Sequence, residues 1–165
     1  MRQRRSAGAL MLMAGLLAGR LQAQASPTAA DSSFRAFLEA SESGLVAFVN
    51  GDPAPWMANA SHADDVTLLT PYGENMRGWA AVENQYERAA RRYAPGSTVR
   101  QEYLAVEVQG DMAYTVVLQR GIFRSPDSDT TRVGFTRATN IFRCEAGQWK
   151  LVHRHMDHLQ PEAGK

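Results

Sequence analysis

One cysteine, Cys144, stands in a chain of 165 residues. No internal disulfide can close, so packing must hold the fold even in an oxidising compartment. Cys144 precedes Glu145-Ala146-Gly147, which places it at a strand end or turn, and nothing nearby marks its thiol as a nucleophile. Long hydrophobic runs are equally scarce. The one that stands out, Ala7 to Gly19, falls short of the roughly 20 apolar residues a helix needs to cross a bilayer. No membrane span is expected in the mature form. Internal repeats and low-complexity segments are also missing from the rest of the chain.

The short apolar run has the flanks of a secretory leader. Arg2, Arg4 and Arg5 precede it, and Ala23-Gln24-Ala25 follows with small residues for cleavage, so residues 1–25 read as a signal peptide. The mature protein is then expected to be exported, to the periplasm or the exterior. Arg4-Arg5 lacks the bulky pair that follows a twin-arginine signal, which favours general export. Four basic residues leave with this leader and no acidic one does, so 14 basic residues face 17 acidic ones, a net charge of −3. A nucleic-acid partner, which wants a basic stripe, loses its support. A small-molecule ligand is expected instead. The remaining length suits one domain with one core, bounded at 31–160 between a short arm over 26–30 and a tail over 161–165.

Periodicity divides that domain into helices first and strands afterwards. Asp31 or Ser32 can cap a helix carrying Phe34, Phe37, Leu38, Leu45, Phe48 and Val49 at helical spacing, with Gly44 interrupting it and Asn50-Gly51 ending it. Asp52-Pro53 starts a second, short helix with Trp56 and Met57. Residues 65–70 read as a strand closed by Pro71-Tyr72-Gly73, and 78–93 as an amphipathic helix with Trp79, Val82, Tyr86, Ala89, Ala90 and Tyr93 on one stripe. From Pro95-Gly96 onward the period is two. Strands are expected over 99–109, 112–124, 132–143 and 148–155, joined as an antiparallel meander. The layout is α+β, with a long curved sheet wrapped around the helices.

This order of elements resembles the nuclear transport factor 2-like superfamily and, within it, the SnoaL-like branch. The residues that carry the resemblance are Asn50-Gly51-Asp52, Val66 through Gly73, Gly78-Trp79-Ala80-Ala81-Val82, Gly110-Asp111-Met112-Ala113-Tyr114 and Gly147 through His155. The resemblance implies a conical, mostly antiparallel barrel with a ketosteroid-isomerase-like fold and a pocket inside the cone. It also implies a homodimer through the outer sheet face. Isomerases, cyclases, dehydratases and assembly domains all use this fold, so function must be argued from the site.

The last strand is the richest in chemistry. Strict alternation puts Trp149, Leu151, His153 and His155 on one face and turns Arg154 away, so the two imidazoles are expected at the mouth of the cone. There they would serve as satisfied polar groups, as ligand contacts or proton-transfer groups, or as two ligands of a metal that Asp157 or His158 completes. Arg137 and Thr139 share a face, as do Tyr103 and Glu107. An inward arginine would favour an anionic or carbonyl ligand. Trp56, Tyr72, Trp79 and Tyr114 are expected in the core or the pocket wall. Asp64, Asp65, Asp111 and Asp157 sit at strand ends and turns, where solvation is the expectation, and His62 is read as solvated too. His153 and His155 are thus the candidate catalytic residues, and Tyr72, Trp56, Trp79, Tyr103, Tyr114, Arg137 and Thr139 the candidate ligand contacts, with no metal or cofactor assigned. Three readings follow: a binding protein for a small, partly apolar molecule; a proton-transfer enzyme of isomerase, cyclase or hydratase type using a pocket histidine; and a dimerising interaction module.

Overall fold

Thr28 opens the first helix in the computed structural model, which describes residues 28–159. The expected leader, residues 1–25, lies outside the described residues, as does the tail over 161–165. The Thr28 hydroxyl accepts from the Asp31 amide while the Asp31 carboxylate accepts from the Thr28 amide, a reciprocal capping box. Helix α1 (Ala29–Phe48) therefore begins earlier than the Asp31 or Ser32 cap predicts, and takes in part of the expected arm. It also runs straight through Gly44. A Cβ on Gly44 would sit 2.9 Å from the Pro55 carbonyl oxygen, so this glycine lets the short helix α2 (Ala54–Met57) cross α1 at close range.

Strand β1 (Thr67–Leu69) and strand β2 (Asn75–Arg77) form a hairpin around Pro71-Tyr72-Gly73; the sequence shows only the first of them. Helix α3 (Trp79–Ala90) follows, burying Val82, Gln85, Tyr86 and Ala90. Four long strands complete the chain: β3 (Ala94–Gln109), β4 (Met112–Arg124), β5 (Thr131–Glu145) and β6 (Gln148–His158). The meander is as expected, and β1 joins its free edge by pairing parallel to β6, giving the order β2-β1-β6-β5-β4-β3. The helices pack into one face of this curved sheet. Phe34, Leu38, Leu45, Phe48, Trp56, Leu68, Val82, Tyr86, Phe142 and Trp149 build the core between them.

Two strands break their own alternation. In β3 the partner of Tyr103 is Val117 and that of Ala105 is Val116, so Leu104 is an extra residue. In β6 the partner of Leu151 is Phe142 and that of His153 is Ile141, so Val152 is extra. Each is a β-bulge, and because side chains alternate with period two, one inserted residue exchanges the two faces of everything beyond it. The backbone around the second bulge is engaged on its other side: Leu151 N–H donates to the Asn59 carbonyl and Ser61 N–H to the Leu151 carbonyl. The chain after α2 thus holds β6 at the point where its faces trade places.

Candidate functional site

Inside the curve of the sheet lies a hollow of about 120 Å³, counted over the positions a water centre can take. One water needs roughly 10–15 Å³ on that count, so the space takes several waters or the body of a small organic molecule. Its walls come from α1 and α2 (Leu45, Phe48, Trp56), α3 (Gln85, Tyr86, Ala89) and the inner faces of β4 to β6 (Gln119, Phe123, Thr136, Arg154, Met156). Mostly apolar walls with a few convergent polar groups are the usual make-up of a ligand site.

Arg154 faces it from β6, with Met156 and His158 further along the same strand. Only 3% of Arg154 is exposed, and it is the one charged residue among the buried ones described. Its Nη1 donates to Asn140 Oδ1 at 2.7 Å, its Nη2 to Gln119 Oε1 at 2.7 Å and its Nε to Met156 Sδ at 3.0 Å. The guanidinium carbon lies 5.3 Å from the centre of the Trp56 ring, a cation–π contact. Behind these partners the network continues, Asn140 donating to Thr115 and Gln119 to Gln101. Burial pushes the arginine pKa down, with Tyr86 the first group opposing that shift. A guanidinium starts so high that it stays charged. Tyr86 is pushed the other way, up, by its own burial.

At the mouth the groups are more open. Tyr72 is 56% exposed; its ring meets His158 edge-on at 5.0 Å, and Arg92 sits 5.3 Å above it. Arg132 lies 5.4 Å over Phe123, and Phe123 leans on Tyr93. Glu74, half-buried behind the wall, accepts from Thr70 and Gln85 through one oxygen and faces Arg88 at 4.0 Å through the other.

The expectation that His153 and His155 look into the cone is overturned by the Val152 bulge. Beyond it Arg154, Met156 and His158 point inward, while His153, His155 and Asp157 lie on the outer face with their β5 partners Ile141, Thr139 and Arg137. His153 Nδ1 is bonded to Thr67 Oγ1 at 2.7 Å, and His155 is exposed in a shallow outer groove. Arg137 is on that same outer face, held by Asp157 through contacts of 3.0 and 2.5 Å, with Thr139 beside it. The Leu104 bulge likewise separates Tyr103, which keeps an inner position against α1 and α2, from Glu107, which pairs with Tyr114 on the outside. Tyr103 lines only a crevice beside the main hollow, and its burial pushes the phenol up to about 12. Tyr114 is 43% exposed on the outer face, and Trp79 stacks on His62 at 3.8 Å, away from the hollow. Trp56 and Tyr72 do line it. Gln119, Asn140, Gln85 and Arg154 are the polar residues that alternation alone missed or turned outward.

No group of three or more His, Cys, Asp or Glu is placed to hold a metal among the described residues. None of the described helices is long and apolar enough to cross a membrane.

Partial burial, with the nearby His155 as a second cause, lowers the pKa of His153. The folded state then binds its proton less readily than the unfolded state, so this residue costs nothing above its ordinary pKa and destabilises the fold as pH falls through and below that value. The melting temperature should therefore drop between pH 7 and 5, and drop less in His153→Gln. Parallel curves for the two proteins would remove this imidazole as a cause.

Comparison with known proteins places this geometry among others. The model of the SnoaL-like domain family matches residues 38–157. No curated protein sequence matches the chain. Among solved structures, a nuclear transport factor 2-like superfamily protein from Salmonella enterica serovar Typhimurium is 18% identical, with a TM-score of 0.68 over 80% of this chain and 94% of that one. A nuclear transport factor 2-like protein of unknown function from Pseudomonas putida is 23% identical, with a TM-score of 0.65 over 82% and 90%. A ketosteroid isomerase-like protein from Erwinia carotovora atroseptica is 14% identical, with a TM-score of 0.64 over 79% and 96%. At such identities the likeness is one of fold.

Proposed function

The chain belongs to the SnoaL-like domain family, and from that premise we propose that it is an exported protein that binds a small, partly apolar molecule in the hollow, anchored by Arg154. The observation that carries this is a roomy cavity with aromatic walls and one buried cation whose hydrogen-bond partners are all neutral. Burying an ion costs on the order of several kcal/mol when nothing of opposite charge accompanies it. A purely structural residue at this position would more cheaply be a methionine or leucine. Export rests on the pattern of residues 1–25 alone.

Proton-transfer chemistry finds less support. No Asp or Glu lines the hollow among the described residues, and the imidazole nearest to it is that of His158 at the rim. The interaction-module reading has one observation of its own. Leu104, Tyr114, Ile122 and Val133 are exposed on the sheet's outer face, which is the surface a homodimer would cover. Sedimentation velocity reads that directly, and a strict monomer at high concentration would end it.

The binding reading is checked by thermal shift against a set of aromatic and alicyclic acids, amides and ketones. At least one class should raise the melting temperature, and Ala89→Trp, which plugs the hollow from α3, should abolish the response. His155→Ala should leave it intact. A set without a hit, or a plugged variant that responds like the wild type, would end the proposal.

A further inference from the structure

We infer that the molecule taken by the hollow is an organic monoanion, a carboxylate on an aromatic or alicyclic body, with its charged group paired to Arg154. This rests on the reading of the hollow as a ligand site and adds the charge of what it takes. The chain has 17 acidic residues, yet among the described residues the charged side chains that line the hollow, Arg92, Arg132 and Arg154, are all basic. Glu74, the acid just behind the wall, is occupied by Thr70, Gln85 and Arg88. Among the described residues, no acid in the lining answers Arg154, the one of the three that is buried.

A guanidinium carries five N–H groups. Three of those on Arg154 are bonded, one through each nitrogen, which leaves one N–H on each terminal nitrogen. A free donor on this rigid, charged plane gives a carboxylate a charge-assisted contact. Desolvated, that contact resists salt far better than an exposed one. Arg92 and Arg132 are exposed at the mouth and held over aromatic faces. They attract anions from solution more than they bind them, since exposed charges are screened. One buried cation asks for one negative charge. The apolar walls around it ask for a hydrocarbon body, and the same field disfavours an amine.

Calorimetry on the mature protein with phenylacetate, 3-phenylpropionate and 4-phenylbutyrate, each against its amide and its amine, separates the possibilities. At least one acid should bind ten times more tightly than its amide, with no binding of the amine. Gln119→Glu sets a carboxylate where an amide oxygen now lies 2.7 Å from Arg154 Nη2, and Gln101 can turn its amide to serve it. That internal counterion should keep or raise the melting temperature and cut the preference for acid over amide to under twofold. Arg154→Met, which removes the charge, should cut it equally. Should the amide bind the wild type as well as the acid, the anion inference fails while the ligand site stands. If neither binds and Ala89→Trp changes nothing, both fail together.

Discussion

Gly121→Ala should cost the fold about 3 kcal/mol, the upper end of the usual range for overpacking a filled interior, and should spoil ligand response as well. Gly121 on β4 faces Gly134 on β5, and the Phe123 ring folds back over both. A Cβ at position 121 would stand 2.3 Å from Phe123 Cζ and 2.6 Å from the Thr98 carbonyl oxygen; one at 134 would stand 2.7 Å from the same ring. The ring can swing aside. The carbonyl is less free to move, because the ladder of β3 on β4 is continuous from this point on, with Thr98 opposite Ile122 and Val99 opposite Gly121. Since Phe123 lines the hollow and supports Arg132 and Tyr93, any swing reshapes the mouth. For a domain of this size the loss corresponds to a fall of roughly 10 °C in melting temperature. Adding Phe123→Ala should recover part of it, because the two side chains compete for one space and their effects will not add. Wild-type stability in the single variant would show that the two glycines are not needed for this crossing.

Phe34→Ala should be costlier still, about 3–5 kcal/mol by the usual measure for removing a buried ring. Phe34 is fully buried, at 0% exposure. Its ring meets Phe142 and Trp149 edge-on, each at 5.0 Å, and stacks on Phe37 at 6.1 Å. Edge-to-face contacts add to area burial, and the neighbouring Trp149 is tied to α1 by a bond from its Nε1 to Ser33 Oγ. This cluster pins α1 to β5 and β6 at the end of the cone away from the hollow. Against a typical total stability of about 5–15 kcal/mol the loss is large enough to leave the protein partly unfolded at growth temperatures. Phe34→Leu, which keeps most of the volume, should cost much less. Urea denaturation reads both, and a loss under about 1 kcal/mol for the alanine variant would mean that the cluster collapses around the gap.

These two sites also show where reading along the chain succeeds and where it stops. Phe34 belongs to a stripe with Leu38, Leu45 and Phe48 at helical spacing, and a stripe of that kind has one plausible use, so the helix and its buried face are both legible. Strand β4 is legible to the residue, Met112 to Arg124, because its alternation is unbroken and Gly110-Asp111 opens it. Strand β2 is not. Three residues between a turn and a helix, Asn75 to Arg77, carry no period, and they extend only because β1 lies beside them. The site fails for a sharper reason. A strand's faces can be counted only from a known start, and an inserted residue resets the count. Leu151-Val152, two apolar neighbours in an otherwise alternating run, is a trace of that reset, but such a pair is equally common in strands buried on both sides.

Local chemistry was thus enough to set the class of fold, the succession of helices and meander, the turns at Asn50-Gly51 and Gly110-Asp111, and most of the core, since each of these follows from spacing and propensity within a few residues. The direction of Arg154 was decided elsewhere. It depends on Asn59 and Ser61 pairing with the backbone of Leu151 along the edge of β6 away from β5, a contact across about 90 positions of chain, and on the neutral oxygens of Gln119 and Asn140 waiting on β4 and β5. Periodicity is a short-range property and register a long-range one, which is why the residue that alternation turned outward is the one the folded chain holds at its centre.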